Sequence, residues 1–326
     1  MRRFFFTFAL LGYLGIPCVN ADSSPEPTTP SFRVATYNLE NWLRMERNRQ
    51  PDQPKPAESK EAIWTILAEI RPDVLGLQEV GTTNDLAEIA DGLAQRGLTY
   101  PYSEWIQGVD TNRHVALLSR FPISGRFSRT DYVFMLGTNS HSVQRGILDV
   151  AIQVHDRYFF RALVVHLKSR REVPEFDQAE MRLKEAQTLR AHISKALKEQ
   201  PDLNLLVMGD FNDVPDSQPI RTIVGEAPFA LHILPARTRA GRTGTHLWRA
   251  RREWSRIDYI IVSPGMYPEF VPNSARIGEH PLSEQASDHR PVWADFFAED
   301  RPPPVNTSSG ESAEPQPALT ETRPEH

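Results

Sequence analysis

The residues of this 326-residue chain that could do chemistry arrive at the ends of apolar runs. Thr36-Tyr37-Asn38 closes one such run, Leu77-Gln78-Glu79-Val80 closes another, and Ala162-Leu163-Val164-Val165 delivers His166. In the last third come Gly209-Asp210-Phe211-Asn212, then Arg256-Ile257-Asp258-Tyr259, then Ser287-Asp288-His289-Arg290-Pro291. A strand that ends in a carboxylate, amide or imidazole puts that group at the rim of a sheet. Several such arrivals describe a site for a divalent metal and a phosphate.

Each group has a chemical role and a bland alternative. Glu79 is the best metal-ligand candidate, because hard cations such as magnesium bind one or two carboxylates plus phosphate oxygens and waters. Its alternative is a solvated glutamate after a strand, and that of Asn38 is a turn residue at a strand end. Asp210 and Asn212, two apart on a tight turn, can orient a water and donate to a phosphate oxygen; Asx-turn chemistry is their alternative. His289 has the side chain whose unperturbed pKa lies closest to neutral, which suits a general base. Asp258, within Ile-Asp-Tyr-Ile-Ile, is costly to bury unless paired, and His289 is its natural partner. His166 either stabilises charge developing on the phosphate, protonates the leaving oxygen, or simply caps its strand. Lys168 and Arg170 add positive charge after it.

The elements that must position these groups alternate. Phe32–Tyr37, Asp73–Leu77, Val115–Ser119, Ile147–Val154, Tyr158–Val165, Leu203–Met208, Arg256–Val262 and Arg290–Phe297 read as strands. Residues 58–70, 84–95 and 175–198 read as helices, the last with Leu183, Ala186, Leu189, Ile193 and Leu197 near a 3.6-residue period. Residues 50–56 read as a Pro-rich polar loop. Strands and helices alternate in two halves, which predicts two sheets packed face to face with helices outside.

Both ends lie outside this fold. Arg2 and Arg3, the apolar stretch from Phe4 to Ile16 and the small residues of Val19-Asn20-Ala21 read as a secretory signal cleaved after Ala21. The alternative is an uncleaved anchor or a frayed arm. Cys18, the one cysteine, lies in that segment behind Pro17, which fits a lipoprotein signal poorly. The mature chain then has no disulfide, thiolate zinc site or cysteine nucleophile. Residues 22–30 are a Ser/Pro/Thr spacer, 31–298 the folded domain, and 299–326 a Pro-rich tail that cannot bury enough surface to order itself. With 40% apolar content and a net charge of −5, the chain is an ordinary globular protein and not a bulk nucleic-acid binder.

Together these motifs resemble the endonuclease/exonuclease/phosphatase superfamily over about Phe32 to Phe297. Gly-Asp-Phe-Asn with Ser-Asp-His-Arg-Pro-Val is the most specific part. The resemblance implies a four-layered α/β sandwich of the DNase I-like kind. It implies hydrolysis of a phosphoester by in-line attack of water, with magnesium or manganese as cofactor. Asn38 and Glu79 match the metal positions, and Asp288 would support the metal or His289. His289, oriented by Asp258, would activate water, Asp210 would orient it, and Asn212 and His166 would contact phosphate. Arg145-Gly146 resembles the family's mid-chain element and makes Arg145 a substrate-binding candidate with Lys168.

The substrate is less clearly written. Val80-Gly81-Thr82 offers no basic residue after Glu79, and Asn112-Arg113-His114 offers no carboxylate for His166; both depart from a DNase I pattern. Against that, Arg249 and Arg252 belong to an Arg/Trp-rich stretch, Arg242 to Arg256 with Trp248 and Trp254, that could grip phosphates and stack a base. Its alternative is a solvated loop whose tryptophans pack on the sandwich. The expected partner is a phosphoester, nucleic acid first, with phospholipid or sugar-phosphate head groups as rivals and a non-catalytic binding protein as the different-class alternative. No stable membrane insertion is expected once the signal is cleaved, so the expected place is secreted or periplasmic.

Overall fold

A computed structural model describes residues 30–171 and 177–302. The proposed signal, most of the spacer and nearly all of the tail lie outside the described residues. Two six-stranded sheets form the centre. In spatial order the first contains Arg276–Ile277, Val292–Phe297, Ser31–Trp42, Val74–Val80, His114–Ser119 and Tyr102–Ile106. The second contains His232–Ile233, Asp258–Val262, Leu205–Asp210, Tyr158–His166, Leu148–His155 and Ile123–Arg126.

Each sheet has one parallel pair at its centre, flanked by antiparallel neighbours. Ser31–Trp42 runs parallel to Val74–Val80, and Tyr158–His166 runs parallel to Leu205–Asp210. The strands of these pairs are buried on both faces, which is why they read as nearly continuous apolar runs. The inner faces meet in a core that includes Phe32, Val150, Phe160, Met208 and Phe296. Phe32 stacks on Phe160 and Phe296 at centroid separations of 5.0 and 5.8 Å. Truncating such a fully buried ring costs about 3–5 kcal/mol.

Helices cover the outer faces. On the first sheet, α1 (Ala57–Ile70) turns Ile63, Ile66, Leu67 and Ile70 inward, beside α2 (Thr83–Ala94) with Leu86, Ile89 and Leu93. Thr82 starts α2 with a reciprocal capping box to Asp85. On the second sheet, α3 (Gln178–Glu199) buries Ala186, Leu189, Ile193 and Leu197 of the stripe expected from the sequence, while Leu183 is half-buried. The order helix, sheet, sheet, helix is the four-layered α/β sandwich. Two readings need correction. Gln50–Gln53 is not loop but pairs with Met45–Arg47 as a small exposed hairpin, and its polar residues carry no alternation to betray a strand. The strand expected over Arg256–Val262 begins at Asp258, which is its first residue and not an interior one.

Candidate active site

The C-terminal ends of the two parallel pairs meet at one rim. Asn38 pairs with Gln78 across the first sheet, and His166 with Asp210 across the second. The antiparallel neighbour begins there too, since Asp258 is the register partner of Asp210. Asn38 Nδ2 donates to Asp210 Oδ2 at 3.0 Å and so joins the sheets.

Local backbone irregularities aim the side chains. Glu79 falls where the register with His114–Ser119 shifts, between Gln78 and Val80, and it takes a positive φ of 62°. That bulge turns its carboxylate out of the strand's alternation, where Asn41 N–H donates to Oε2 at 2.8 Å. A non-glycine residue in this conformation costs about 1–3 kcal/mol and persists only where its surroundings hold it. Asn212 likewise has φ 51°. Gly209, at φ 143°, runs so close to its parallel neighbour that a Cβ would collide with the Val165 carbonyl. Asp210 is delivered directly after that contact.

From Glu79 the groups form a chain of short separations. Glu79 Oε1 is 4.0 Å from His166 Nε2, which is 3.5 Å from Asp210 Oδ2. Asp210 Oδ2 is 3.7 Å from His289 Nε2, and that atom is 3.9 Å from Asp288 Oδ1. Behind His289, Nδ1 donates to Asp258 Oδ2 at 2.9 Å. Thr245 Oγ1 accepts the Ile257 and Asp258 N–H groups at 3.0 and 3.1 Å and fixes the start of that strand. Ser287 Oγ donates to Asn38 O at 2.8 Å and accepts from His289 N at 3.0 Å, which ties the last motif to the first strand.

Electrostatics separates the two imidazoles. Burial works against charge on His289, yet Asp258, Asp210 and Asp288 together outweigh it and hold its pKa well above the ordinary value. For His166, burial and the positive charge of Arg145 act in the same direction, and its pKa falls well below the ordinary value. His166 is therefore a neutral imidazole at pH 7 and His289 the strong base. Burial, reinforced by the charge of Asp258, raises the carboxyl of Asp210.

The other predicted residues are placed as follows. Asn212 Nδ2 donates to Leu167 O at 2.9 Å and to Asp210 Oδ2 at 3.3 Å, so its amide braces the turn. Arg145 is buried, donates to Asp110 Oδ2 at 3.0 Å and keeps Nη1 without a partner. Lys168 lies near it, half-buried, and Glu185 of α3 holds the backbone of both segments. That buried carboxylate accepts the Gln144 and Lys168 N–H groups at 2.9 and 2.6 Å. Arg249 binds the Glu40 carboxylate and donates to Glu284 O, while Glu40 accepts the Asp288 N–H at 3.1 Å. Arg249 thus supports the site's frame from its rim. Arg252 remains largely exposed, 3.9 Å from Glu284. Trp254 lies against Arg290 and Trp248 against Arg251, at 3.6 and 4.3 Å from guanidinium to ring centroid. Glu40, Thr245, Glu185, Arg113 and Ser287 were missed from sequence. Of these, Glu40, two residues after Asn38, Ser287, inside the last motif, and Arg113, inside the Asn112-Arg113-His114 stretch, stood next to a recognisable signal.

The donor set fits a hard cation. Glu79, Asp210, Asp258 and Asp288 converge, and among the described residues Arg113, 3.8 Å from Glu79, is the one Lys or Arg within ion-pairing distance of any of them. A cation held by oxygen ligands offsets such an excess of negative charge. Two groups of three donors, Asp210–Asp258–His289 and His246–Asp288–His289, are close enough to share an ion.

Acids and imidazoles gathered in this way, at the strand-end rim of a four-layered sandwich, define a phosphoester hydrolase scaffold. The Endonuclease/Exonuclease/phosphatase family matches residues 35–289, and the chain belongs to that family. Its members are phosphoester hydrolases that use divalent metals. Solved structures share the fold at low identity. The human Nocturnin catalytic domain with bound sulfate is 20% identical, covering 82% of this chain and 94% of that one, with a TM-score of 0.59. Sphingomyelinase C from Streptomyces griseocarneus is 18% identical over 82% and 100% of the two chains, at 0.55. TDP2 from Caenorhabditis elegans is 16% identical over 82% and 74%, at 0.58. No curated protein matches the chain.

Proposed function

We propose that this protein is a divalent-metal-dependent phosphodiesterase of the nuclease type, exported as a secreted or periplasmic enzyme. The observation that carries the reading is the alignment of Asp258, His289 and Asp210, with a base backed by one carboxylate and faced by another. Nδ1–H of His289 donates to Asp258, which leaves Nε2 to take a proton from water. Asp210, braced by Asn38 and Asn212, orients that water for in-line attack on phosphorus. His166, uncharged, donates a hydrogen bond to a phosphate oxygen, and Arg145 with its free Nη1 adds positive charge beside it. Magnesium or manganese at Glu79, with Asn38 near, would neutralise charge developing on the phosphate, and Asp288 would support His289.

Trp248, 48% exposed on the hairpin that follows Thr245, favours a base-stacking substrate over a bare sugar phosphate. Phospholipid and sugar-phosphate esters remain the rival substrates. Hydrolysis of bis-p-nitrophenyl phosphate tests the chemistry, with DNA, RNA, sphingomyelin and sugar phosphates as substrate arms. Turnover should need magnesium or manganese and stop with chelator. Chelator-insensitive turnover would overturn the metal assignment, and preference for a lipid or sugar ester would overturn the nuclease assignment.

A further inference from the structure

The chain of acid and base groups ends on a residue that none of these roles uses. His246 begins the hairpin strand His246–Trp248 and forms an isolated bridge with His289. The two ring centroids are 4.7 Å apart. His246 Nε2 is 3.8 Å from Asp288 Oδ2, while Asp288 Oδ1 is 3.9 Å from His289 Nε2. One donor atom from each of the three lies within 4.8 Å of the others. Donors bound to one zinc ion at about 2.1 Å stand about 3.4–3.6 Å apart, so side-chain shifts of about an ångström close this triangle.

No structural role accounts for His246. Its Nδ1 is buried without a hydrogen-bond partner, and Nε2 faces Asp288 at a distance too long for a hydrogen bond. His289 is already arranged as metal-binding histidines are, with Nδ1 donated to a carboxylate and Nε2 left free. The donor type differs from that at Glu79. Two imidazoles and one carboxylate suit zinc, with a fourth position open, whereas oxygen donors around Glu79 suit magnesium.

We propose that His246, Asp288 and His289 form a binding site for a zinc-class cation, distinct from the oxygen-donor site at Glu79. Occupancy takes Nε2 of His289 out of proton transfer, so zinc there arrests the hydrolysis. That consequence rests on the hydrolase reading; the binding does not.

Isothermal titration of the chelator-treated, full-length protein with zinc, in excess magnesium, tests the site. Wild type should take up one zinc that magnesium does not displace, and His246→Asn should bind it at least tenfold more weakly. Equal affinity in the two proteins, or displacement by magnesium, overturns the proposal. Melting of the metal-free proteins checks that the variant folds. If it does not, copper(II) bound to wild type at one equivalent should show two imidazole nitrogens by electron-nuclear spectroscopy, and a single nitrogen overturns the site. A protein that binds zinc through His246 yet hydrolyses no phosphoester would leave this inference standing and remove the hydrolase reading.

Discussion

Asp258→Asn probes the proposed base most directly, because it keeps the shape of the side chain and removes its charge. The carboxylate sits 2.9 Å from His289 Nδ1. At an effective dielectric of about 20, that separation corresponds to roughly 6 kcal/mol of attraction for the imidazolium, before desolvation is subtracted. Desolvation takes back much of it, and a close opposite charge moves a pKa by about 1–3 units in practice. Asp210 and Asp288 stay in place at 3.7 and 3.9 Å, so part of the upward shift survives. A base works when unprotonated, so activity should rise with pH through the elevated pKa of His289. In Asp258→Asn this acidic limb should move down by about 1–3 pH units. The plateau rate should also fall by about 10²–10⁴, because the amide can donate to Nδ1 and trap the wrong tautomer. The assay is the pH profile of bis-p-nitrophenyl phosphate hydrolysis at fixed metal concentration, with circular dichroism to confirm folding. An unshifted limb with an unchanged plateau would refute the pairing as a catalytic device.

Two further outcomes concern the frame. Gly209→Ala should lower stability by about 2–4 kcal/mol, combining the clash against the Val165 carbonyl with backbone strain, and should lower turnover by misplacing Asp210. A urea midpoint within experimental error of wild type would show that the strand yields there. Glu269 is buried, accepts a hydrogen bond from Tyr158 and has its pKa pushed up to about 8, chiefly by burial. The folded state then holds a proton that the unfolded chain releases above about pH 4.5, so this group's contribution is full below that pH and is lost as pH rises towards 8. Glu269→Gln should flatten that slope and gain on the order of a few kcal/mol over wild type at pH 8. Urea denaturation at pH 5 and pH 8 measures it; identical slopes in the two proteins would refute the assignment.

The fold was legible where burial leaves a period in the chain. The apolar runs before Asn38, Glu79, His166 and Asp210 read as strands because those strands are covered on both faces, and the Leu189/Ile193/Leu197 stripe marked α3. The hairpin Met45–Arg47/Gln50–Gln53 was illegible because its residues are exposed and their pairing depends on a partner strand. The site residues were nameable for a related reason: a polar group at the end of a buried strand is rare enough to stand out. Their helpers were not. Glu185 sits mid-helix among other charged residues, and Thr245 in a polar loop. Nothing local distinguishes a buried glutamate that accepts two backbone N–H groups from a solvated one.

Sequence alone therefore determined the set of chemical groups and the strands that carry them, because side-chain type and hydrophobic period are local properties. Tertiary structure decided the rest, because distances and burial belong to no single segment. It set the backbone bulge that turns Glu79 outward and the alignment of Asp258, His289 and Asp210. It gave the two histidines opposite pKa shifts, since one is surrounded by carboxylates and the other is buried beside Arg145. It also turned Arg249 onto Glu40 and brought His246 against Asp288, contacts between segments more than forty residues apart.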